Sequence, residues 1–479
     1  MTSSLKQFGR ESLIYGFGHV LIRIVTFLLM PLYTNKFTQA EYGTLTLVMT
    51  FIGLVQIVYV FGMNNALMKF YTRAEEDRRQ VVTTTFLSLF IAAIVFSSCL
   101  SLTARPLSQV LFGLNQPLWI HYAAAILVLD TISVRGMVLL RFNNRPMQYI
   151  LLALVNVTVT MSANILLVLR CSRGVTGAIE STVLAALASF LLVLPIISRE
   201  FKGSSYSQTL LKRMLWFGLP FVPGAFFQFV MDLADRYLVD WLGSREMVGL
   251  YGAGYKIGSI MLILQTGFNL GWLPYFLKKE KDPEAPQLFA RIATYFAVGL
   301  TGVWVFMVLF ADLIVRLRFG SITLIGSEFW TAVEIIPLVM LGYIFLGFYD
   351  MLMPGIYYRN KSHLVAIYRG IGAVTNIVLN LLFIPRWGIM GAAWATCLAF
   401  ALMSCTLYFQ TQRLFYIPFR WARILSYLGL ATLVYILKIQ LHPGGWMLVG
   451  IFLVYLAIVI FSLRRDIRNF FRSSSGIKD

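Results

Sequence analysis

Four basic side chains, Arg23, Arg135, Lys256 and Arg369, fall inside long apolar stretches of the chain, as do three acids, Asp130, Asp235 and Asp350. At hydrocarbon depth each such charge costs about 2.5–3.5 kcal/mol on insertion scales, so a position that keeps one is a candidate for function. Arginine offers a planar fork of donors, whereas lysine is a compact point charge. Arg23 stands at the middle of its stretch, out of easy snorkelling reach; it either lines a cavity or pairs with Asp130, also mid-stretch. Arg135 and Arg369 lie nearer the ends of theirs, where a long side chain can instead reach the head groups. Lys256 lies deeper, which favours a cavity. Asp232, Asp235 and Arg236 cluster near the end of one stretch. Neighbours one position apart do not face each other on a helix, so a partner on another helix, or a water-filled entrance, is expected for them. Glu180 and Glu334, just inside the ends of their stretches, read as interfacial caps.

These charges need elements that cross a bilayer. Hydrophobic residues make up 58% of the 479 positions and charged residues 13%, against roughly 25% charged in soluble domains. The apolar residues come in blocks of about 20, the helical length that spans a ~30 Å hydrocarbon core; a barrel would show shorter alternating stretches. The predicted fold is therefore all-α and integral to the membrane, with about fourteen spans running from 12–34 to 444–463. The seventh, 210–232, can run on through Asp240. The net charge of +19 does not indicate nucleic acid, because the Lys and Arg residues are scattered over short loops. With the N-terminus inside, the cytoplasmic loops carry more than twice as many as the outer ones, which predicts cytoplasmic termini. No cleavable signal peptide is evident, the first block being too long for one.

The chain also repeats itself. Tyr42-Gly43 answers Tyr251-Gly252, Gly62-Met63-Asn64 answers Gly267-Phe268-Asn269, and Asn144-Arg145 answers Asn360-Lys361. Asn164 to Leu167 answers Asn380 to Phe383, and Gly174 to Ala178 answers Gly388 to Ala392. The shared order and near-constant offset imply two parallel halves of six spans each, the arrangement of many secondary transporters. The expected divisions are 1–205, 206–412 and an appended helix pair with its tail, 413–479. Asn64 and Asn269 stand at repeat-equivalent sites and read as glue between helices.

The repeat residues carry a family resemblance as well. Pro31 to Thr34 with Glu41 to Gly43, Phe61-Gly62 through Phe70-Tyr71, Phe217 to Pro220, Asp235-Arg236, Val248 to Tyr251, and the run from Asn376 to Thr396 resemble the polysaccharide transporter (O-antigen flippase-like) family. That family lies within the superfamily of multidrug and toxin extrusion proteins. The resemblance covers roughly the first 410 positions. It implies two six-helix lobes in a V, and passage of a polyprenyl-diphosphate-linked oligosaccharide from the cytoplasmic to the outer leaflet. It also implies the cytoplasmic membrane of a bacterium and a role in O-antigen, capsule or exopolysaccharide (lipopolysaccharide-type) biosynthesis. On that reading Arg23, Arg135, Lys256 and Arg369 form a cationic cleft for the diphosphate, since arginine donates two parallel hydrogen bonds to phosphate. Asp130, Asp235 and Asp350 are candidates for gating or for coupling to H+ or Na+. Arg135 and Asp350, at matching depth in the two halves, make a candidate inner gate. Asn64 and Asn269, with Trp272 and Trp304, are candidate sugar contacts. Besides membrane lipids, polysaccharide polymerase machinery is a candidate partner.

Two other functions fit the residues less well. A drug or cation antiporter on the same fold prefers an acidic cavity, which the embedded cations disfavour. A polytopic polymerase or ligase needs an extended loop for catalytic residues, and the longest here, 104–116 and 311–329, are short. Four histidines and four cysteines without ligand spacing predict no metal, disulfide framework or cofactor; the cysteines read as small apolar fillers.

Overall fold

The computed structural model describes residues 27–72, 76–143, 145–320, 322–359, 361 and 363–474. Chain order gives α1 (27–36), α2 (Gln39–Val60), α3 (Met63–Tyr71), α4 (Arg78–Leu102), α5 (Ala104–Phe112), α6 (Pro117–Phe142), α7 (Pro146–Asn164) and α8 (Gly174–Ser198). The second half follows with α9 (Gln208–Gly218), α10 (Val222–Phe229), α11 (Asp235–Leu242), α12 (Arg245–Gly258), α13 (Ile260–Lys278), α14 (Ala285–Val315), α15 (Ile336–Met351), α16 (Met353–Tyr358) and α17 (His363–Leu414). Then come α18 (Trp421–Leu441) and α19 (Gly445–Ser474). The expected outer loops are not bare: α5 occupies one, and a two-residue hairpin, β1 (Arg318–Phe319) with β2 (Ile322–Thr323), occupies the other.

Twelve helical stretches among the described residues are long and apolar enough to cross a bilayer. One of them, His363–Leu414, holds a non-helical Gly388 and so comprises two helices across a kink. Helices suit this setting because each satisfies its backbone polar groups internally. Their ends follow local chemistry. Thr38 and Glu41 form a reciprocal capping box at the start of α2, and Pro117 and Pro146 open α6 and α7, where the missing N–H costs nothing. The seventh span does continue past Asp240, as a chain of short pieces. A 3-10 turn at Leu219–Phe221 carries Pro220, and a π-helical turn, Val230–Ala234, precedes α11. Pro removes a helical hydrogen bond, and π-turns absorb an extra residue, so this span is irregular at both places.

The predicted repeat is visible in the backbone. Gly174 and Gly388 both take φ +56°, each breaking the helix at the matched position. Asn164 and Asn380 are both buried, and each donates its side-chain amide to the carbonyl four residues back. The Tyr-Gly pairs face one another across the lobe contact. A Cβ on Gly43 would lie 2.1 Å from the Arg245 carbonyl oxygen, one on Gly249 2.1 Å from that of Gln39, and one on Gly252 3.0 Å from the Thr46 hydroxyl. Small residues let α2 and α12 approach to backbone distance, the usual device where lipid removes any hydrophobic drive between helices. Near the same end, Asn35 donates to the Thr323 carbonyl at 2.7 Å and accepts from its hydroxyl at 3.0 Å, Gly326 N–H donates to the Thr34 hydroxyl, and Gln39 donates to the Glu328 carbonyl. Loop charge predicts this end to be the outer one.

At the opposite end α9, although it opens the second half, packs against α3 and α4 of the first. Gly62, at φ +77°, and Gly218 meet backbone to backbone. Arg213 pairs with Glu76 at 2.8 Å, and Lys69 sits 3.6 Å above the Phe217 ring. Helices α18 and α19 pack on α14, through Lys438–Asp312 and the Trp304–Tyr435 ring pair.

Candidate functional site

Below the α2–α12 contact lies a cavity of about 610 Å³, within the usual ~300–1,000 Å³ of small-molecule sites. It is enclosed by both halves. Thr46, Thr50, Asn156, Thr160 and Thr182 line it from the first, and Asp232, Arg236, Tyr255, Lys256 and Ser259 from the second.

The charged wall is built by the irregular seventh span. Asp235 is fully buried. It pairs with Arg236 at 2.8 Å and accepts from the Tyr251 hydroxyl at 2.5 Å, with the Thr396 hydroxyl at 3.5 Å. This corrects the expectation that adjacent Asp and Arg cannot meet. The guanidinium folds back, its Nη1 donating both to the Asp232 carbonyl, 2.7 Å away, and to Asp235. Both residues open α11, and it is the length of the arginine side chain, curling back toward the preceding turn, that lets it reach the neighbouring carboxylate. Tyr255 stacks under the guanidinium at 4.4 Å, a cation–π contact that holds a desolvated arginine in place. Behind Asp235, Asn376 donates to the Thr396 hydroxyl and Asn380 to Asn376, closing a buried polar cluster. Asp232 accepts from Gln228 through one oxygen; its other, Oδ1, is buried without a partner.

Lys256, on α12, lines the same cavity and makes no hydrogen bond or ion pair among the described residues. It is the predicted cation that the structure places on the cavity wall. Arg23 lies outside the described residues. Arg135 is buried within the first half, its Nη1 on the Thr131 and Asp130 carbonyls and its Nε without a partner. Asp130 stands within electrostatic reach of it. Asp350 belongs to the second half, accepting from Asn269 at 2.5 Å, with Arg369 within electrostatic reach of both it and Asp232. Arg135 and Asp350 are therefore not brought together: Asp350 bonds to Asn269, and Arg135 bonds to carbonyls of its own helix with its Nε unpartnered.

Asn269 is glue between α13 and α15, whereas repeat-equivalent Asn64 keeps a buried, unpartnered Oδ1. Trp272 and Trp304 are buried and donate to the carbonyls of Asp350 and Pro337, so neither is free to stack on a sugar. Glu180 does not cap a helix; it pairs with Arg173 and accepts from Tyr122. Of the cysteines only Cys397 is buried; Cys99, Cys171 and Cys405 are exposed. The sequence named Arg236 but did not place it on the cavity wall, nor did it single out Asn156, Thr160 or Thr182. Arg236's tie to Asp235 was legible only as an unlikely pair, and neutral residues carry no insertion penalty large enough to stand out.

Comparison with known proteins agrees with this architecture. A family model described as polysaccharide biosynthesis protein matches residues 8–279. The Lsg locus putative protein 1 of Haemophilus influenzae is 24% identical over 284 residues, covering 57% of this chain and 67% of that protein. Among solved structures, the lipid II flippase MurJ in its inward closed conformation superposes with a TM-score of 0.74 at 14% identity, over 95% of this chain and 100% of that one. An inward-facing multidrug resistance MATE family transporter of the MOP superfamily gives 0.61 at 14% identity, over 85% and 99%. These two likenesses establish a shared fold, and both neighbours are transport proteins rather than enzymes. With more than half of its length matched by the family model, the chain belongs to the polysaccharide biosynthesis protein family, a polytopic membrane protein on the MATE-like fold.

Proposed function

We propose that the protein is a flippase that carries a polyprenyl-diphosphate-linked oligosaccharide from the cytoplasmic to the outer leaflet of a bacterial cytoplasmic membrane, by alternating access between its two lobes. The surface polysaccharide it serves is of the O-antigen, capsule or exopolysaccharide kind. The observation that carries this reading is the unpaired Lys256 beside Arg236 on one wall of the central cavity. An unpaired lysine in a low-dielectric cavity awaits an anion, and a diphosphate supplies acceptor-only oxygens for it and for the remaining donors of Arg236, itself already paired with Asp235. The other donors of Arg236 are not taken up by the Asp235 pair. The family membership and the flippase among the structural neighbours support the same reading. Asp235, tied to Arg236 and to the Asn376–Thr396 cluster, is the residue we assign to coupling with H+ or Na+.

One observation favours a second reading. The unpartnered Oδ1 of Asp232 is an acceptor near the same cavity and suits a cationic cargo, as in a drug antiporter. Proteoliposomes holding a fluorescent polyprenyl-diphosphate oligosaccharide separate the two. Wild-type flipping that falls at least tenfold in Lys256→Gln supports the flippase. Export of an organic cation, undiminished by Lys256→Gln and lost in Asp232→Asn, would replace it with the antiporter.

A further inference from the structure

The two walls of the cavity differ in kind. All its charged lining residues among those described come from the second lobe. Beside apolar side chains and the hydroxyls of Tyr33 and Tyr42, the first lobe contributes threonine hydroxyls and one amide whose protons are already committed. Thr50 donates to the Thr46 carbonyl at 2.8 Å, Thr160 to that of Asn156 at 2.7 Å, and Thr182 to that of Ala178 at 3.1 Å. A hydroxyl has one proton to give and two lone pairs to accept with; bonded back to its own helix, it shows the cavity lone pairs alone. Asn156 repeats the pattern. Its amide nitrogen donates to the Ser189 hydroxyl at 2.9 Å and toward the Ala185 carbonyl at 3.5 Å, leaving Oδ1 as its free group.

The threonines and Asn156 thus give the first-lobe wall a row of acceptors, facing a second-lobe wall that carries the donors Arg236 and Lys256 together with the carboxylate of Asp232. An ionised diphosphate has acceptors only and gains nothing from the first wall. A sugar ring carries hydroxyl donors at several positions and matches it. Resting on the flippase reading above, we infer that Thr50, Asn156, Thr160 and Thr182 form a sugar subsite, which takes the first hexopyranose units of the cargo while Arg236 and Lys256 take the diphosphate. The lipid head group then lies across the cleft, phosphate to the second lobe and sugar to the first. Cargo choice by sugar resides in α7 and α8, and the requirement for a diphosphate in α11 and α12.

The test is equilibrium binding to the purified full-length chain of two probes: undecaprenyl diphosphate, and undecaprenyl diphosphate bearing a neutral trisaccharide. Wild type binds the glycosylated probe about tenfold more tightly, the increment of one or two hydrogen bonds. The near-isosteric double variant Thr160→Val/Thr182→Val erases that preference and binds the bare probe as wild type does, which also certifies its fold. Thr160→Ser/Thr182→Ser, which keeps the oxygens, restores the preference. Lys256→Gln weakens both probes alike. A wild type that binds both probes equally, or a valine variant that weakens both equally, overturns the sugar subsite and leaves the flippase reading standing. A wild type that binds neither probe overturns the flippase reading, and the subsite with it.

Discussion

The lobes meet at two ends, and they are joined there by opposite means. At the predicted outer end α2 and α12 touch along their backbones, Gly43, Gly249 and Gly252 admitting no side chain between them, and neutral bonds from Thr34, Asn35 and Gln39 secure the turn beside them. At the predicted cytoplasmic end the main crossing is a single short helix, α9, held by one glycine-on-glycine contact, the buried Leu210 and Met214, a half-exposed ion pair and a lysine over a ring. Backbone packing of this kind is all-or-none, because an added methyl has nowhere to go. Exposed ion pairs are worth about 0–1 kcal/mol and weaken with salt. The outer end is thus a seal along two long helices, and the cytoplasmic end a latch of one short helix. That asymmetry suits a carrier waiting for cargo from the cytoplasm.

The strongest way to break the comparison is Gly249→Val. Its side chain would begin 2.1 Å from the Gln39 carbonyl oxygen, so α12 must withdraw from α2. Spin labels at positions 36 and 328, both exposed, should report a longer distance, and flipping should fall at least tenfold. Next is Gly62→Ala, which meets both the left-handed backbone at φ +77° and the Gly218 carbonyl; the backbone term alone costs about 1–2 kcal/mol. It should free α9 while leaving the 36–328 distance unchanged. A smaller effect is expected for Asn35→Ala, which removes the bonds to Thr323. At about 1–2 kcal/mol, the fraction open at this end should rise roughly tenfold in the same label experiment. Glu76→Gln should do least: loss of the Arg213 pair changes α9 mobility by no more than about fivefold, and less at high salt. A Glu76→Gln effect as large as that of Gly249→Val would reverse the assignment of seal and latch.

Much of the fold was legible because membrane helices announce themselves by length and composition, and because the repeat preserved its break-points. Gly174 and Gly388 share one backbone conformation, and Asn164 and Asn380 one hydrogen bond. The site was less legible, for three physical reasons. Depth along a span does not tell which way a side chain turns: Arg135 and Lys256 were both candidates for the cavity, yet one bonds carbonyls within its own helix and the other lines the cavity. Repeat equivalence does not imply equal roles, as the tied Asn269 and the unpartnered Asn64 oxygen show. Spacing along a helix does not tell how far a long side chain curls back, so it hid the bond of Asp235 to Arg236. The neutral acceptor wall left no mark at all, since threonine in a membrane helix is common and its meaning lies in where its proton goes.

The central claim is that the cavity holds a diphosphate on its second-lobe wall. Its most direct test is flipping of a fluorescent polyprenyl-diphosphate oligosaccharide in proteoliposomes, wild type beside Lys256→Gln and Lys256→Arg. Transport by wild type, lost at least tenfold in the glutamine variant and retained in the arginine one, is the predicted result. Equal transport by all three would contradict a diphosphate held by Lys256.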